Sequence, residues 1–461
     1  MGFFKAYDMR GTFGADFDLD TVYRVGRALP KVVPGTRWLV GRDCRTSSSD
    51  VRDALVAGLR EAGAEVVDLG LATTPMVYFF TAEEGFDGSV MITASHNPPS
   101  DNGLKVSKRG GLPVGYESGL SDVEKLVLAD TARYDGQKRP SAIVEGTDPV
   151  RLARYVSWLR SQASTEQSEQ SEQSNNPPAT SLSFAVDCSD GMASILAHEL
   201  FPGAVILNDA PDGRFPHHAP NPLLAESREQ LAETVRARGL DCGVIFDGDA
   251  DRCMFVDERG AFIQPDYLIP VLASTFPDAP GRPVIHDVRT SRGAIEAIRA
   301  MGCEPVIGKV GHAYAKVLLR EVQAVCGGEL AGHYYFRDFH GCDSGELAAL
   351  RILGAFAQAK ARGASVSDLM APICGRYANS GEVNFRVADK PAAIARALAV
   401  AATFGREVSR CDIDGHRLEF AEGWISVRQS NTEPYLRLLA ECDTPARLDA
   451  WMSALSRAIE A

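Results

Sequence analysis

Residues 90–98, VMITASHNP, are an apolar run followed directly by hydroxyl, imidazole and amide side chains. The apolar run predicts a buried strand, and Asn97 and the prolines after it cannot extend that strand. Ser95 therefore lies on a loop at the end of a strand, which is where α/β proteins bind their ligands. Because His96 and Lys105 would polarise or neutralise a phosphate there, we hypothesise that Ser95 carries a phosphoryl group. The alternative is a polar loop tip without chemistry.

A second loop, residues 246–252, FDGDADR, places three carboxylates between two apolar strands. Alternate side chains of such a segment project to one side, so Asp247, Asp249 and Asp251 converge. At ~4 Å and an effective dielectric constant of about 20, each pair repels by roughly 4 kcal/mol, which requires a cation among them. A small cluster of hard oxygen ligands suits Mg²⁺. The alternative is a solvated acidic turn capped by Arg252.

A third segment, residues 428–434, RQSNTEP, lies between two further apolar strands. A guanidinium, short hydroxyl and amide side chains and loop N–H groups together form an anion cradle. The groups that would build it are Arg428, Ser430, Asn431 and Thr432, with Arg437 just beyond them. The alternative is an ordinary polar turn between the two strands. The two interpretations are compatible, because a turn of this kind can itself form the cradle.

Together these three segments resemble the α-D-phosphohexomutase family, specifically its phosphomannomutase/phosphoglucomutase branch. The resemblance covers nearly the whole chain and adds four matching stretches: residues 6–11, 41–48, 309–312 and 328–333. It implies catalytic roles for Ser95, His96, Lys105, Arg10, Arg252 and Arg289. It implies substrate binding by Tyr7, Lys309, His312, Glu329, His333, Arg428, Ser430, Asn431, Thr432 and Arg437. It implies a metal site formed by Ser95, Asp247, Asp249 and Asp251.

The chain departs from the family's pattern at three positions. The sugar loop usually carries serine where this chain has Ala331, which removes one hydroxyl that would hold the hexose. The metal loop more often has glycine where Ala250 stands, a change that is tolerated if the backbone φ angle there is negative. Many relatives place lysine, a candidate general base, at the position of Arg289. Because arginine stays protonated, it is a poor base and a good electrostatic stabiliser.

The resemblance implies the reversible conversion of hexose 6-phosphate and hexose 1-phosphate, with mannose or glucose as the sugar. Phosphorylated Ser95 would transfer its phosphoryl group to the sugar and form a hexose 1,6-bisphosphate. This intermediate would reverse its orientation in the site and return its other phosphoryl group to Ser95. Mg²⁺ and the bisphosphate, as activator, are the expected cofactors. The alternatives are a phosphoglucosamine mutase, a phosphoserine-dependent sugar phosphatase and a sugar-phosphate sensor without catalysis.

A chain of 461 residues exceeds what one hydrophobic core usually supports. A strand, a tight turn and an amphipathic helix recur at residues 38–43, 184–190 and 283–291. We therefore expect three similar α/β domains with mixed sheets, followed by a C-terminal α+β domain, around a central cleft. The expected boundaries are residues 1–145 with the phosphoserine loop, 146–256 with the metal loop, 257–370 with the sugar-recognition loop and 371–461 with the phosphate-binding loop.

Composition agrees with a soluble enzyme, which we expect to be cytoplasmic, and the resemblance implies small-molecule hexose phosphates as partners. The net charge of −13 argues against nucleic acid and anionic membranes as partners, and no long apolar run predicts a membrane span. The ten cysteines lack C-x-x-C spacing, so we expect them to be reduced. The expected assembly is a monomer or a homodimer.

Two further segments have no predicted catalytic role. Residues 162–181 contain a Ser/Glu/Gln repeat without an apolar face, and we expect a flexible insertion there because such a segment buries too little surface to offset its ordering entropy. Residues 211–218, PDGRFPHH, also resemble a family segment, and their histidine pair predicts a structured turn more readily than a metal site.

Overall fold

A computed structural model describes residues 2–136, 144–163, 182–430 and 435–461. Most of the insertion expected at residues 162–181 therefore lies outside the described residues, as do Asn431 and Thr432. The chain forms two compact units. The first consists of Met1–Gln264 and Ala331–Val366, and the second of Pro265–Leu330 and Ser367–Ala461.

The first α/β domain contains a six-stranded mixed sheet. Its strands are β1 (Met9–Thr12), β2 (Arg37–Arg42), β3 (Glu65–Leu71), β4 (Gly88–Ile92), β5 (Asp101–Lys108) and β6 (Leu112–Pro113), and its helices are α1 (Leu19–Val32), α2 (Ser48–Glu61), α3 (Thr74–Glu83) and α4 (Leu120–Ala129). The strand order is β1-β5-β4-β2-β3, with β6 beside β5. Since β2 and β4 are parallel neighbours, the loops after them leave the sheet side by side. The predicted strand before Ser95 is confirmed as β4.

The second α/β domain repeats this plan with five strands. Its elements are α5 (Pro149–Ala163), β7 (Phe184–Asp187), α6 (Ala197–Leu200), β8 (Val205–Leu207), α7 (Ala225–Arg238), β9 (Cys242–Phe246), β10 (Cys253–Asp257) and β11 (Phe262–Ile263). The order is β11-β10-β9-β7-β8, in which β7 is parallel to β8 and β9 while β10 is antiparallel to β9. The aspartate loop therefore connects the antiparallel neighbours β9 and β10.

Residues 265–330 of the second unit contain a third parallel arrangement. Its elements are α8 (Leu268–Ala273), β12 (Pro283–Asp287), α9 (Arg292–Ala300), β13 (Glu304–Gly308), α10 (His312–Glu321) and β14 (Cys326–Gly328). Strand β12 lies between β13 and β14, as β2 lies between β3 and β4 and β7 between β8 and β9. The predicted threefold repeat is confirmed, because its three apolar strands are the central strands β2, β7 and β12.

Residues 331–366 belong to the first unit. They form the antiparallel pair β15 (Tyr334–Phe336) and β16 (Cys342–Asp343), followed by α11 (Gly345–Ala361), which packs on α5 and β10. The backbone of Arg252 also bridges that of His333. Residue 333 is thereby held next to the aspartate loop.

The C-terminal region is an α+β domain, as predicted. Its elements are α12 (Val366–Cys374), β17 (Ala378–Asn379), β18 (Val383–Phe385), α13 (Lys390–Ala401), β19 (Ser409–Cys411), β20 (His416–Glu419), β21 (Gly423–Gln429), β22 (Leu436–Cys442) and α14 (Pro445–Glu460). The antiparallel order is β17-β22-β21-β20-β19, with β18 also beside β22. Phe404 stacks on Trp451 at 4.4 Å between ring centroids and closes the core between sheet and helices.

Buried polar contacts join the C-terminal domain to the loop after β12 within the second unit. Arg417 donates hydrogen bonds to the backbone oxygens of Val288 and Thr290 at 2.9 and 2.7 Å. The carboxylate of Glu441 accepts from the backbone of Arg292 and from the indole of Trp424. These contacts fix residues 288–292, and with them Arg289, on the C-terminal sheet.

None of the helices in the described ranges combines the length and the apolar character that crossing a bilayer requires.

Glu346 provides a test of the packing of α11. It lies fully buried in the first turn of that helix, where the Ser344 hydroxyl donates to its Oε2 at 2.8 Å, and burial raises its pKa to about 8. Between its ordinary value and pH 8, the folded chain keeps a proton that the unfolded chain has lost, so stability falls as pH rises. We expect Glu346→Gln to be about as stable as wild type at pH 5 and more stable by about 3 kcal/mol at pH 8, measured by chemical denaturation.

The exposed Glu117 supplies the matched control. Glu117→Gln is expected to change the free energy of unfolding equally at both pH values. A difference between wild type and Glu346→Gln that does not grow with pH contradicts the prediction.

Candidate active site

Ser95 lies on the loop after β4 and is 1% exposed. Its Oγ donates a hydrogen bond to Oδ2 of Asp247 at 2.7 Å and lies 3.3 Å from Nδ1 of His96. The backbone of Ser95 is left-handed, with φ of 51°. Non-glycine residues held in this sparsely populated conformation concentrate at functional sites, where the surroundings impose it. The predicted nucleophile and the predicted metal loop are therefore in contact.

The three predicted metal ligands converge on the loop between β9 and β10. Asp247, Asp249 and Asp251 are fully buried, and each offers an oxygen within 4.8 Å of the other two. Thr74, at the start of α3, donates from its hydroxyl to Oδ2 of Asp249 at 2.6 Å and from its N–H to the Asp249 backbone oxygen. The loop is thus held by the first α/β domain as well as by its own strands.

The condition under which alanine would be tolerated at position 250, a negative φ angle, is not met, because this residue has φ of 62°. The turn places its N–H on the backbone oxygen of Asp247 at 3.2 Å, and its own oxygen accepts from the N–H of Gly345. Alanine in this conformation costs of order 1 kcal/mol relative to glycine. The family's preference for glycine here follows from that cost.

Lys105 lies on β5 between two of the aspartates. Its Nζ donates to Oδ2 of Asp249 at 2.6 Å and to Oδ2 of Asp251 at 2.5 Å. Burial opposes a charge here, but these carboxylates raise the pKa of Lys105 above its ordinary value, so it stays an ammonium. Burial and the two neighbouring carboxylates raise the pKa of Asp247 well above its usual range. One lysine therefore compensates only part of the buried negative charge.

The remaining oxygens fit a divalent cation. Oδ1 of Asp249 and Oδ1 of Asp251 are buried and accept no hydrogen bond from the described residues. The three aspartates, with the hydroxyl of Ser95 on Asp247, supply hard oxygen ligands of the kind that Mg²⁺ prefers. The predicted metal ligands are thus brought together in a cluster that suits a metal.

Arg10 and His96 border this cluster. Arg10, on β1, donates from Nη1 to Oδ1 of Asn97 at 3.0 Å and pairs with Asp8, while its Nε meets no acceptor among the described residues. Burial and the cations around it hold the pKa of His96 well below its usual range, so its imidazole is neutral. Tyr7 precedes β1 and is partly exposed.

Arg252 and His333 form a chain of contacts that ends on Asp343. Nε of Arg252 donates to Nε2 of His333 at 3.0 Å, and Nδ1 of His333 lies 2.8 Å from Oδ2 of Asp343. His333 therefore lies between the guanidinium of Arg252 and the carboxylate of Asp343. His333 was predicted as a substrate-binding residue, and the structure places it where it orients Arg252 beside Asp247.

The second unit holds a different set of predicted residues. Arg289 follows β12 and donates from Nη2 to Oδ2 of Asp287 at 2.6 Å, and the same Nη2 lies 3.6 Å from Oε2 of Glu329. Its Nη1 reaches Glu382 at 3.4 Å, and Glu382 also accepts from Arg437 at 2.8 Å. Burial opposes the charge of Arg289, but Asp287 and Glu382 raise its pKa above its ordinary value. Arg289 is thus a permanent cation that holds carboxylates in place.

Arg428 lies on β21 directly opposite Arg437 on β22. Its Nη2 donates to Oδ2 of Asp414 at 3.4 Å, and its buried Nε meets no acceptor among the described residues. The N–H of Ser430 donates to the backbone oxygen of Tyr435 and closes the loop. The other two predicted cradle residues lie outside the described ranges.

The remaining predicted residues of this unit lie around Glu329. The carboxylate of Glu329 is 2% exposed and accepts from the N–H of Gly311 at 3.2 Å. His312 is the first residue of α10, and Lys309 is exposed with its Nζ 5.2 Å from the ring centroid of Tyr314. The second unit therefore presents several cations together with buried carboxylates, among them Glu329.

Family models match most of the chain. They are described as phosphoglucomutase/phosphomannomutase alpha/beta/alpha domains I, II and III, which match residues 1–133, 153–260 and 264–377, and the C-terminal domain, which matches residues 382–458.

Relatives of known name span nearly the same length. A protein named phosphomannomutase from Salmonella montevideo is 36% identical over 456 residues, covering 95% of this chain and 94% of its own. One named phosphohexose mutases from Xanthomonas campestris pv. campestris is 37% identical over 451 residues, covering 96% of each. A solved structure of a phosphoglucomutase/phosphomannomutase family protein from Burkholderia thailandensis superposes with a TM-score of 0.83 at 30% identity, covering 100% of this chain and 97% of its own.

The chain belongs to the phosphoglucomutase/phosphomannomutase family.

As a member of this phosphohexomutase family, the chain is an isomerase enzyme. The predicted fold class, three similar α/β domains with mixed sheets and a C-terminal α+β domain, is confirmed. The individual domain boundaries and the roles of the individual site residues stay predictions. The structure shows which of these residues lie together.

Sequence reasoning missed several residues of this phosphohexomutase that contact the predicted site residues, among them Arg45, Asp343, Glu382 and Asp414. Glu382 pairs with Arg289, which is distant in sequence, so neither a local pattern nor spacing identified it. The available signal for Arg45 was its place in the family-like stretch 41–48.

The charge balance of the aspartate loop yields a prediction. Lys105→Met removes the ammonium from buried carboxylates, and breaking a buried pair costs about 3 to 5 kcal/mol. We expect this variant to unfold at a clearly lower temperature than wild type in EDTA and to regain part of the loss in saturating MgCl₂, because a divalent cation replaces the missing charge. Thermal unfolding in both buffers measures the effect.

Lys108, exposed on the same strand, supplies the control. Lys108→Met is expected to leave both unfolding temperatures unchanged. If Lys105→Met has the unfolding temperature of wild type in EDTA, or if Mg²⁺ does not raise its unfolding temperature, Lys105 does not balance the carboxylates as described.

Proposed function

We propose that this enzyme interconverts hexose 6-phosphate and hexose 1-phosphate by way of a phosphoryl group on Ser95. The observation that carries the proposal is the hydrogen bond of 2.7 Å between Oγ of Ser95 and Oδ2 of Asp247, inside a cluster of three buried aspartates. A hydroxyl at a strand end beside cation-binding carboxylates is the arrangement that phosphoryl transfer requires, since that reaction depends on positioning and charge stabilisation.

The forward step moves one phosphoryl group from Ser95 to a free hydroxyl of the bound hexose monophosphate. The P–O bond to Ser95 breaks, a new P–O bond to the sugar forms, and the sugar hydroxyl loses its proton while Oγ of Ser95 regains one. The product is a hexose 1,6-bisphosphate, which reverses its orientation and returns its other phosphoryl group to Ser95. When bound, Mg²⁺ would neutralise charge on the transferring group.

Residues of the chain perform the remaining tasks in the first unit. The Nε of Arg10, which meets no described acceptor, and the guanidinium of Arg252 supply positive charge for phosphoryl oxygens. His96 is a neutral imidazole 3.3 Å from Oγ of Ser95, so its Nδ1 is able to exchange a proton with that oxygen. Lys105 keeps Asp249 and Asp251 in place.

Residues of the second unit would bind the phosphate that is not transferred. Arg428 and Arg437 lie opposite each other on neighbouring strands, and the loop between them contains the predicted cradle. Buried Glu329 has acceptor oxygens for two adjacent sugar hydroxyls. Arg289 would act on this carboxylate through its charge 3.6 Å away, which makes it a positioning residue for Glu329.

We propose mannose and glucose phosphates as the substrates, because the named relatives are phosphomannomutases and phosphohexose mutases. Mg²⁺ and a hexose 1,6-bisphosphate activator complete the proposal. A phosphoglucosamine mutase remains the alternative within the family, since Ala331 removes a hydroxyl from the sugar loop. Side-by-side assays of mannose 1-phosphate, glucose 1-phosphate and glucosamine 1-phosphate distinguish these substrates.

Replacement of the nucleophile tests the proposal directly. Ser95→Ala is expected to lose at least about 10³-fold in kcat while still binding hexose phosphate, because the phosphoryl carrier is gone. Turnover is measured by a coupled assay with Mg²⁺ and a trace of glucose 1,6-bisphosphate, and binding by calorimetry. Ser100→Ala, on an exposed part of the same loop, is the control and should retain wild-type turnover.

Retained turnover in Ser95→Ala contradicts a phosphoserine mechanism. Steady release of inorganic phosphate by wild type, without isomerisation of the sugar phosphate, identifies a phosphatase instead.

The phosphate anchor is tested at Arg428. Arg428→Ala is expected to raise KM for hexose 1-phosphate at least about tenfold, since a charge-assisted contact of about 1.5 to 3 kcal/mol is lost. Arg410→Ala, on strand β19 of the same sheet and exposed, is the control with unchanged KM. An unchanged KM in Arg428→Ala removes this residue from the anchor.

A further inference from the structure

Arg45 has every N–H of its guanidinium engaged. Nη2 donates to the backbone oxygens of Ser95 and Asn97 at 2.8 and 2.7 Å, and Nη1 donates to those of Pro98 and Asp101 at 2.6 and 2.9 Å. Its Nε donates to the Asp43 carboxylate at 3.1 Å. A guanidinium has five N–H donors in a fixed fork, and here all five are used. Three of them fall on the loop that carries Ser95, and a fourth falls on Asp101, the first residue of β5.

These contacts act on a strained stretch of backbone. Ser95 is in the left-handed region, and its N–H donates to Oγ1 of Thr93 at 2.8 Å while its oxygen accepts from Arg45. Gly248 packs against the same oxygen so closely that a Cβ there would lie 2.6 Å from it. The direction in which Oγ points depends on this conformation. Arg45 therefore stabilises the backbone geometry that aims Oγ at Asp247.

The opposite side of Arg45 is covered by the segment of residues 211–218. The ring of Phe215 lies 5.1 Å from the Arg45 guanidinium carbon, and a Cβ at Gly213 would approach the Arg45 Cα to 2.4 Å. This segment is tied to Asp190, whose backbone oxygen accepts from the N–H of Asp212 and whose carboxylate lies 2.7 Å from Nδ1 of His217. His217 is thus part of a structured turn that supports Arg45.

We propose that Arg45 is a positioning residue that sets the attack geometry of Ser95, and that Gly213 and Phe215 hold Arg45 in place from the second α/β domain. The inference rests on the proposed function, because it concerns the same nucleophile. Arg45 has no N–H left for substrate, so it acts through the loop and not on the phosphate.

The test replaces Arg45 by lysine. An ammonium has three N–H donors and no planar fork, so it cannot satisfy five acceptors in this geometry. We expect Arg45→Lys to lose about 10²-fold in kcat, the usual effect of a misplacement near 1 Å, with KM for glucose 1-phosphate within about threefold of wild type. We also expect phosphoryl transfer from glucose 1,6-bisphosphate to Ser95 to slow by a similar factor in a single turnover.

Two further variants keep the inference testable if Arg45→Lys does not fold. Phe215→Leu is expected to lower kcat about three- to tenfold with KM unchanged. Arg214→Lys, the control, changes an exposed arginine in the same segment that pairs only locally with Asp212, and it should match wild type. Added guanidinium is expected to restore part of the kcat of Arg45→Ala. It should restore none of the kcat of Ser95→Ala, because the nucleophile itself is missing there.

The outcomes separate this inference from the proposed function. If wild type carries no phosphoryl group on Ser95 by peptide mass spectrometry and Ser95→Ala turns over, the proposed function fails. The proposed function stands if wild type carries the phosphoryl group on Ser95 and Ser95→Ala does not turn over. If, in that case, Arg45→Lys and Phe215→Leu have wild-type kcat or change only KM, the role of Arg45 alone is overturned.

Discussion

The site depends on how the first unit accommodates three buried carboxylates. At ~4 Å separation and an effective dielectric constant of about 20, each pair of aspartates repels by roughly 4 kcal/mol, which is comparable to the stability of a whole domain. Lys105 offsets this repulsion for Asp249 and Asp251, while Asp247 receives a hydrogen bond from Ser95. The nucleophile is thus positioned by the same charges that prepare a cation site.

The sheets bring these groups together by simple geometry. Ser95 follows β4, Lys105 lies on the antiparallel neighbour β5, and the aspartates follow β9. Lys105 lies within a strand, and Ser95 and the aspartates lie a few residues from a strand end. Strands hold functional side chains more precisely than loops do, so this closeness to strands restricts where the reacting groups lie.

Much of this organisation could be predicted from the sequence because it is local. An apolar run followed by turn formers marks β4, and carboxylates between two apolar runs mark the loop between β9 and β10. Pairings over long sequence distances could not be predicted. His333 contacts Arg252 and Asp343, and Arg45 reaches the carbonyls of the Ser95 loop, because the topology and not the local pattern decides those neighbours. The left-handed backbone at Ala250 was also missed, since alanine ordinarily signals a negative φ.

In the proposed mechanism Ser95 alone carries the phosphoryl group. A single turnover with glucose 1,6-bisphosphate labelled with ³²P, after which the label is mapped by peptide mass spectrometry and counted, tests this role. We expect stoichiometric label on the peptide that contains Ser95, and this label should disappear when glucose 6-phosphate or mannose 6-phosphate is added and reappear in the sugar bisphosphate. Label on another residue, or label that leaves only as inorganic phosphate, would contradict it.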